Sequence, residues 1–195
     1  QLMYLAYIFV AGVSFSCFLK QYKSEENLSL GLSVAYMLSG FSIGNAQHLA
    51  FISGYALVPL VMAAYIQFLK QINRKNFVLL AISLYLMIFC SYPAITIITG
   101  YLLFLFFMYQ LIINRTNRSY IKKLIVSHLV LSGTVIAFSV VLLAAYFQTI
   151  PFLDRYSGLS VELANKHAFT LKSFISFLVP MATGNDPQFF GTDIS

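Results

Sequence analysis

The sequence predicts an all-α fold: a polytopic transmembrane helical bundle of about six spans, followed by a C-terminal extracytoplasmic segment with an interfacial helix. Three observations predict it. Of the 195 residues 59% are hydrophobic and 9% charged, with a mean hydropathy of +0.81, whereas roughly a quarter of an average soluble domain is charged. The apolar residues form long runs without a Lys, Arg, Asp or Glu. The strand alternation of a transmembrane barrel is missing, while nineteen Phe and thirteen Tyr suit lipid-facing and interfacial helices.

The predicted spans are 2–19, 28–43, 49–69, 77–91, 94–113 and 124–147. At 1.5 Å per residue most are long enough to cross a hydrocarbon core of about 30 Å. The second and fourth are short, at roughly 22 to 24 Å, so they must thin the bilayer, extend into flanking polar residues or stop in a protein-lined cavity. Both run into the same side of the membrane, which points to a recess there.

The connections set the orientation. The first carries Lys20 and Lys23, the third Lys70, Arg74 and Lys75, and the fifth Arg115, Arg118, Lys122 and Lys123; the second and fourth carry no basic residue. Lys and Arg concentrate in loops that stay in the cytoplasm. The protein is therefore expected to be multi-pass in a cytoplasmic membrane, with residues 44–48, 91–93 and 148–195 extracytoplasmic. The net charge of +6 then orients helices and meets anionic headgroups, and predicts no nucleic-acid partner.

Between spans two and three lies an uncharged polar turn, Ser39 to His48. Gly40 and Gly44 have GxxxG spacing, and Gly31, Ser33, Ala35 and Ser39 precede them. The simple reading is close helix packing; the sharper one is a helix that unwinds near Gly40 and shows its backbone to a ligand. Pro59 and Pro93 are expected to be absorbed by neighbouring helices, and Tyr92-Pro93 ends a helix at a sharp turn. Cys17 and Cys90, placed near opposite faces, read as small core residues.

The chain divides into a bundle, 1–147, expected to be a fragment of a larger membrane domain, and an extracytoplasmic loop, 148–195. In the loop, 170–181 is apolar but too short to span and is expected to lie along the membrane surface.

The three outward connections bring together the candidate substrate-binding residues Asn45, Gln47, His48, Tyr92, Gln148 and Arg155. His48 and Asp154 are the candidates for catalysis, as a proton carrier and an acid or base. The bland readings are a structural cap for His48 and a solvated pair for Asp154 and Arg155; the sharper one has Arg155 hold a lipid phosphate bidentately. His128 reads as a tolerated interfacial residue. The sequence has no phosphate-binding Gly loop with Lys, no paired-Cys zinc pattern and no His-Glu-x-x-His. It identifies no cofactor and no metal ligand set, and leaves a requirement for a divalent metal open.

Several short motifs carry a resemblance. Tyr36-Met-Leu-Ser-Gly40, the turn ending in His48, Pro59-Leu60 and Cys90-Ser-Tyr-Pro93 come first. Gln148-Thr-Ile-Pro151, Ser157, Leu159-Ser-Val-Glu-Leu-Ala164, Phe177-Leu-Val-Pro180 and Gly184 follow. In this order they resemble the YfhO-type bacterial membrane proteins, departing from common relatives at Ser91 and Tyr92, where Gly-His precedes the Pro. The resemblance implies a bacterial cytoplasmic membrane and a place near the GT-C glycosyltransferases, membrane enzymes that use sugars carried on polyprenyl phosphate. Their catalytic acidic residue lies in the first extracytoplasmic loop, which here would precede Gln1. The expected function is thus transfer of a sugar from a polyprenyl-phosphate carrier to a cell-envelope acceptor, with membrane lipid and the lipid-linked sugar as partners. The alternatives are a non-catalytic transporter or flippase of lipid-linked saccharides, and a structural or assembly protein.

Overall fold

The computed structural model describes residues 2–152, and every described element is helical. The helices are α1 (Leu2–Lys20), α2 (Glu26–Met37), α3 (Gly40–Gly44), α4 (Leu49–Lys70), α5 (Arg74–Cys90), α6 (Pro93–Ile113) and α7 (Arg118–Thr149), followed by a 3-10 turn, Ile150–Phe152. Four of them, α1, α4, α6 and α7, are long and apolar enough to cross a membrane. The chain forms two compact units, Gln1–Tyr146 and Phe147–Ser195. Of the second, the last residues of α7 and the 3-10 turn are described.

Two expected spans change form. The second is broken: α2 stops at Met37 and α3 starts afresh at Gly40, with Ser39 as its N-cap accepting from the Ser42 N–H at 3.4 Å. The fourth begins earlier than expected, because Asn73 caps the helix through its side-chain oxygen, 2.9 Å from the Asn76 N–H. This draws Arg74 and Lys75 into α5 and makes it 17 residues long, about 25 Å. The start of α7 is drawn back in the same way by Asn117, whose side-chain oxygen lies 3.1 Å from the Tyr120 N–H.

α4 is the axis of the first unit. Of its apolar stretch 61% is buried, against 6% in α6 and 11% in α7; α1 and α5 pack on it directly. Tyr65, Phe68, Leu80 and Leu131 form one apolar cluster along it, and Leu57, Val61 and Met87 another. The connecting ends sort by charge. Lys70 Nζ donates to the Gln21 carbonyl at 2.6 Å and the Tyr120 hydroxyl to the Leu69 carbonyl at 3.4 Å, so the three basic connections share one end. At the other, the Tyr92 N–H donates to the Ala50 carbonyl at 3.0 Å and the Tyr4 hydroxyl to the Ser42 carbonyl at 3.2 Å.

Pro59 lies inside α4 and gives the Tyr55 carbonyl no helical donor. The Tyr36 hydroxyl supplies one from α2, at 2.9 Å, and the Tyr55 hydroxyl donates back to the Tyr36 carbonyl at 2.5 Å. The two rings stack at 4.2 Å, with Phe15 stacked on the far side of Tyr36 at 4.4 Å. The expectation that Pro59 is absorbed by a neighbour therefore has a specific agent.

The glycines that permit close approach are not the predicted pair. A Cβ on Gly40 or Gly44 would meet nothing within 4 Å, whereas one on Gly12 would overlap Met37 Sδ and one on Gly54 would overlap Ser91 Oγ and come within 2.9 Å of Ile95 Cδ1. GxxxG packing at Gly40 and Gly44 is not realised among the described residues: the two glycines bound the short α3, and no neighbouring element comes close to either.

Candidate functional site

At the uncharged end the turn after α3 is built from its own backbone. Asn45 closes α3, its amide donating to the Phe41 carbonyl at 3.0 Å, and the His48 N–H donates to the Asn45 carbonyl at 2.8 Å. His48 occupies the N-cap of α4 but makes no side-chain capping bond, so the bland reading of its imidazole as a cap is not what the structure shows. The ring is exposed and lies edge-on to Phe51 at 5.6 Å, while Phe51 stacks on Tyr92 at 4.5 Å. His48 and Tyr92 thus both pack on one aromatic ring, Phe51. Gln47 is exposed beside them.

Of the other expected site residues, Gln148 lies within the last turn of α7 and not in the loop that was to follow the sixth span. The helix runs on because nothing between 140 and 149 interrupts it: the first Pro is Pro151. Asp154 and Arg155 lie outside the described residues, as does the interfacial helix expected at 170–181.

The broken second span matches the sharper reading in form, but its polar groups are taken up internally. The Ser42 hydroxyl reaches the Met37 carbonyl at 2.7 Å and the Ser39 carbonyl at 2.8 Å, and the Ser39 hydroxyl meets the Tyr55 hydroxyl at 2.9 Å. With Tyr55 already donating to the Tyr36 carbonyl, Ser39 is the donor in that last bond. Side chains satisfy the break.

A larger feature lies elsewhere. Between α4, α5, α6 and α7 is a cavity of about 670 Å³, lined mainly by Leu84, Leu103, Phe107, Leu131 and Val135. Its rim includes Phe104, Leu129 and Ile136, each more than half exposed on α6 and α7. It opens sideways between these two helices, toward whatever surrounds the bundle.

One polar pair is set in this apolar wall. Tyr65, 2% exposed, approaches His128 Nε2 with its hydroxyl at 3.0 Å, and His128 Nδ1 lies 2.8 Å from the Leu124 carbonyl. A carbonyl only accepts, so Nδ1 carries the proton and Nε2 of the neutral ring accepts from Tyr65. The hydroxyl also lies 3.3 Å from the Leu103 carbonyl, to which it can turn its proton when Nε2 bears one. Phe68 and Phe107 pack on the imidazole at 5.5 and 4.5 Å.

Sequence reasoning gave His128 a minor place and did not single out Tyr65. A signal was present. Tyr65 stands five residues before Lys70 and His128 five residues after Lys123, so each lies about 7.5 Å inside the basic end. Equal depth is legible in sequence; that their faces meet is not.

No group of three or more His, Cys, Asp or Glu able to hold a metal occurs among the described residues. Comparison with protein families, with characterised proteins and with solved structures finds no match to this chain in any of the three.

Proposed function

We propose that this chain is part of a multi-pass membrane protein that admits a lipid-linked substrate from the bilayer, and that it serves sugar transfer from a polyprenyl-phosphate carrier to a cell-envelope acceptor. The observation that supports the reading is the apolar cavity open sideways between α6 and α7, lined by Leu103, Phe107 and Val135. A concave, mostly apolar space with a few placed polar groups is what ligand sites share. An opening between two apolar helices suits a chain that arrives from lipid.

In this reading the helices cross six times, with α2 and α3 together making the second crossing and α5 the fourth. The basic connections face the cytoplasm of a bacterium and the turns around Asn45 and Tyr92 face out. The carrier's phosphate and sugar meet His48, Gln47 and Tyr92 at the outer face, where the stacked Phe51 and Tyr92 rings offer an apolar platform to a sugar. The prenyl tail descends the α6–α7 seam into the cavity. The chemical step draws its carboxylate from outside the described residues.

The test uses the full-length protein reconstituted in vesicles with a polyprenyl-phosphate sugar that is radiolabelled in the sugar and photoreactive in the tail. Crosslinks are expected at Phe107, Leu129 or Val135, and Val135→Trp is expected to lower the yield about tenfold by filling the space. Crosslinks spread evenly over outward-facing residues would refute the cavity. Label appearing in an acceptor identifies a transferase; label crossing the vesicle membrane on its carrier identifies a flippase.

A further inference from the structure

The wall of the large cavity holds one hydroxyl between two helices. Tyr65 Oη, on α4, lies 3.0 Å from His128 Nε2 on α7 and 3.3 Å from the Leu103 carbonyl on α6. These are the two helices between which the cavity opens. A tyrosine hydroxyl has one proton to give and can accept as well. With the imidazole neutral, that proton goes to Nε2 and the Leu103 carbonyl receives nothing from Tyr65. With a proton on Nε2, the ring donates to Tyr65 and the hydroxyl is free to donate to Leu103, so both bonds form at once. Nδ1 is unaffected, because the Leu124 carbonyl, 2.8 Å away, accepts its proton in either state.

The surroundings suit an added charge as well. Tyr65, Phe68 and Phe107 pack around the imidazole with ring centroids 5.7, 5.5 and 4.5 Å away, within the about 6 Å at which an aromatic face attracts a cation. Phe107 belongs to α6, so this attraction also acts across the mouth. Among the described residues that line the cavity, Tyr65 and His128 are the titratable ones, and none is Asp, Glu, Lys or Arg. α5 contributes Leu84, and α6 contributes Leu103 and Phe107. On α7 itself Tyr120 has its hydroxyl on the Leu69 carbonyl, and Lys123 is exposed at the basic end. The charge of this wall is therefore decided at His128.

We propose that Tyr65 and His128 form a proton-binding site that closes the mouth of the cavity: a proton on His128 fastens α6 and α7 to the same hydroxyl of α4. α6 has little else to hold it, since 6% of its apolar stretch is buried. Loss of the proton releases the Leu103 carbonyl, and α6 can then part from α7 and admit an apolar chain. Acid closes the seam and higher pH opens it. An imidazolium in the wall also opposes an apolar occupant, which would cut it off from water, so the two effects have the same sign. The proton site needs the cavity and its mouth, whatever apolar chain enters.

The experiment follows the mouth directly in the full-length protein reconstituted in vesicles. Nitroxide labels are attached at Phe104→Cys and Ile136→Cys, rim positions that are 56% and 59% exposed, with Cys17 and Cys90 replaced by Ala. Their mean separation is expected to be about 1–2 Å shorter, and its distribution narrower, at about pH 5 than at about pH 8, the range in which an imidazole titrates. In parallel, a polyprenol with a photoreactive tail, which has no titratable group of its own, is expected to crosslink to Leu129 or Val135 about tenfold less at the lower pH. His128→Gln keeps an acceptor for the Tyr65 hydroxyl but binds no proton, and should leave both readings flat with pH. Tyr65→Phe leaves an imidazole that can titrate but no hydroxyl to share, and should hold the mouth at its wider setting at both pH values. A separation that does not change with pH, a response that persists in His128→Gln, or a probe that enters equally well at both pH values overturns the proposal. A mouth that narrows in acid while the probe crosslinks nowhere in the cavity supports the proton site and refutes instead the reading of the cavity as the place of a lipid tail.

Discussion

Because Pro59 has no N–H, the carbonyl of Tyr55 one turn earlier in α4 depends on the Tyr36 hydroxyl, 2.9 Å away on α2. An unsatisfied carbonyl is costly where no water reaches it, and Tyr36, in the last turn of α2, answers it. Tyr36→Phe is therefore expected to destabilise the protein by about 1–2 kcal/mol in detergent-solubilised unfolding. The same substitution on a Pro59→Ala background should cost clearly less, since alanine at that position restores the helical donor. Equal costs on the two backgrounds would show that the Tyr36 hydroxyl does not serve the carbonyl that Pro59 leaves open.

Among the elements, α4 is held to the α5–α6 corner at very short range. The Ser53 hydroxyl reaches the Cys90 carbonyl at 2.5 Å, the Tyr92 N–H reaches the Ala50 carbonyl, and Gly54 leaves room for Ser91 and Ile95. Pro93 at the first position of α6 and the extended Tyr92 before it set the corner itself. Gly54→Ala drives a methyl group into that corner and is expected to cost about 1–3 kcal/mol. Gly40→Ala, whose Cβ meets open space, should stay within about 0.5 kcal/mol of the parent. The pair of melting curves tests whether close approach lives at the corner or in the GxxxG spacing, and a larger loss at Gly40 would move it back to the latter.

At the scale of the whole molecule, charge and hydrogen bonding agree on which connections lie together. Lys70 bonded to Gln21 and Tyr120 bonded to Leu69 gather the basic connections at one end, and the Tyr92–Ala50 bond gathers uncharged turns at the other. On the proposed six-crossing topology those ends face opposite compartments. With Cys17 and Cys90 replaced by Ala, a Cys introduced at Ala46 should react with an impermeant maleimide from outside the cell, and one at Asn117 only after the membrane is opened. Labelling of both from the same side would end the six-crossing arrangement.

The amino-acid sequence by itself determined the all-helical class, the positions of the apolar runs to within a few residues and the sorting of basic from uncharged connections. These follow from length, hydropathy and charge, which act along the chain before any helix meets another. It also announced the corner at Tyr92-Pro93, because the stereochemistry of Pro is local. The break of the second span was legible only as an alternative at Gly40, since Ser39, Ser42 and Tyr55 had to converge from two helices to stabilise it. Tertiary structure alone decided that Tyr65 meets His128 across the α4–α7 seam, that His48 and Tyr92 both pack on Phe51, and that Gly12 and Gly54 rather than Gly40 and Gly44 carry close packing. The physical reason is that depth in a membrane is encoded by distance along the sequence, whereas the rotation of one helix against its neighbour is set by the packing of many side chains at once.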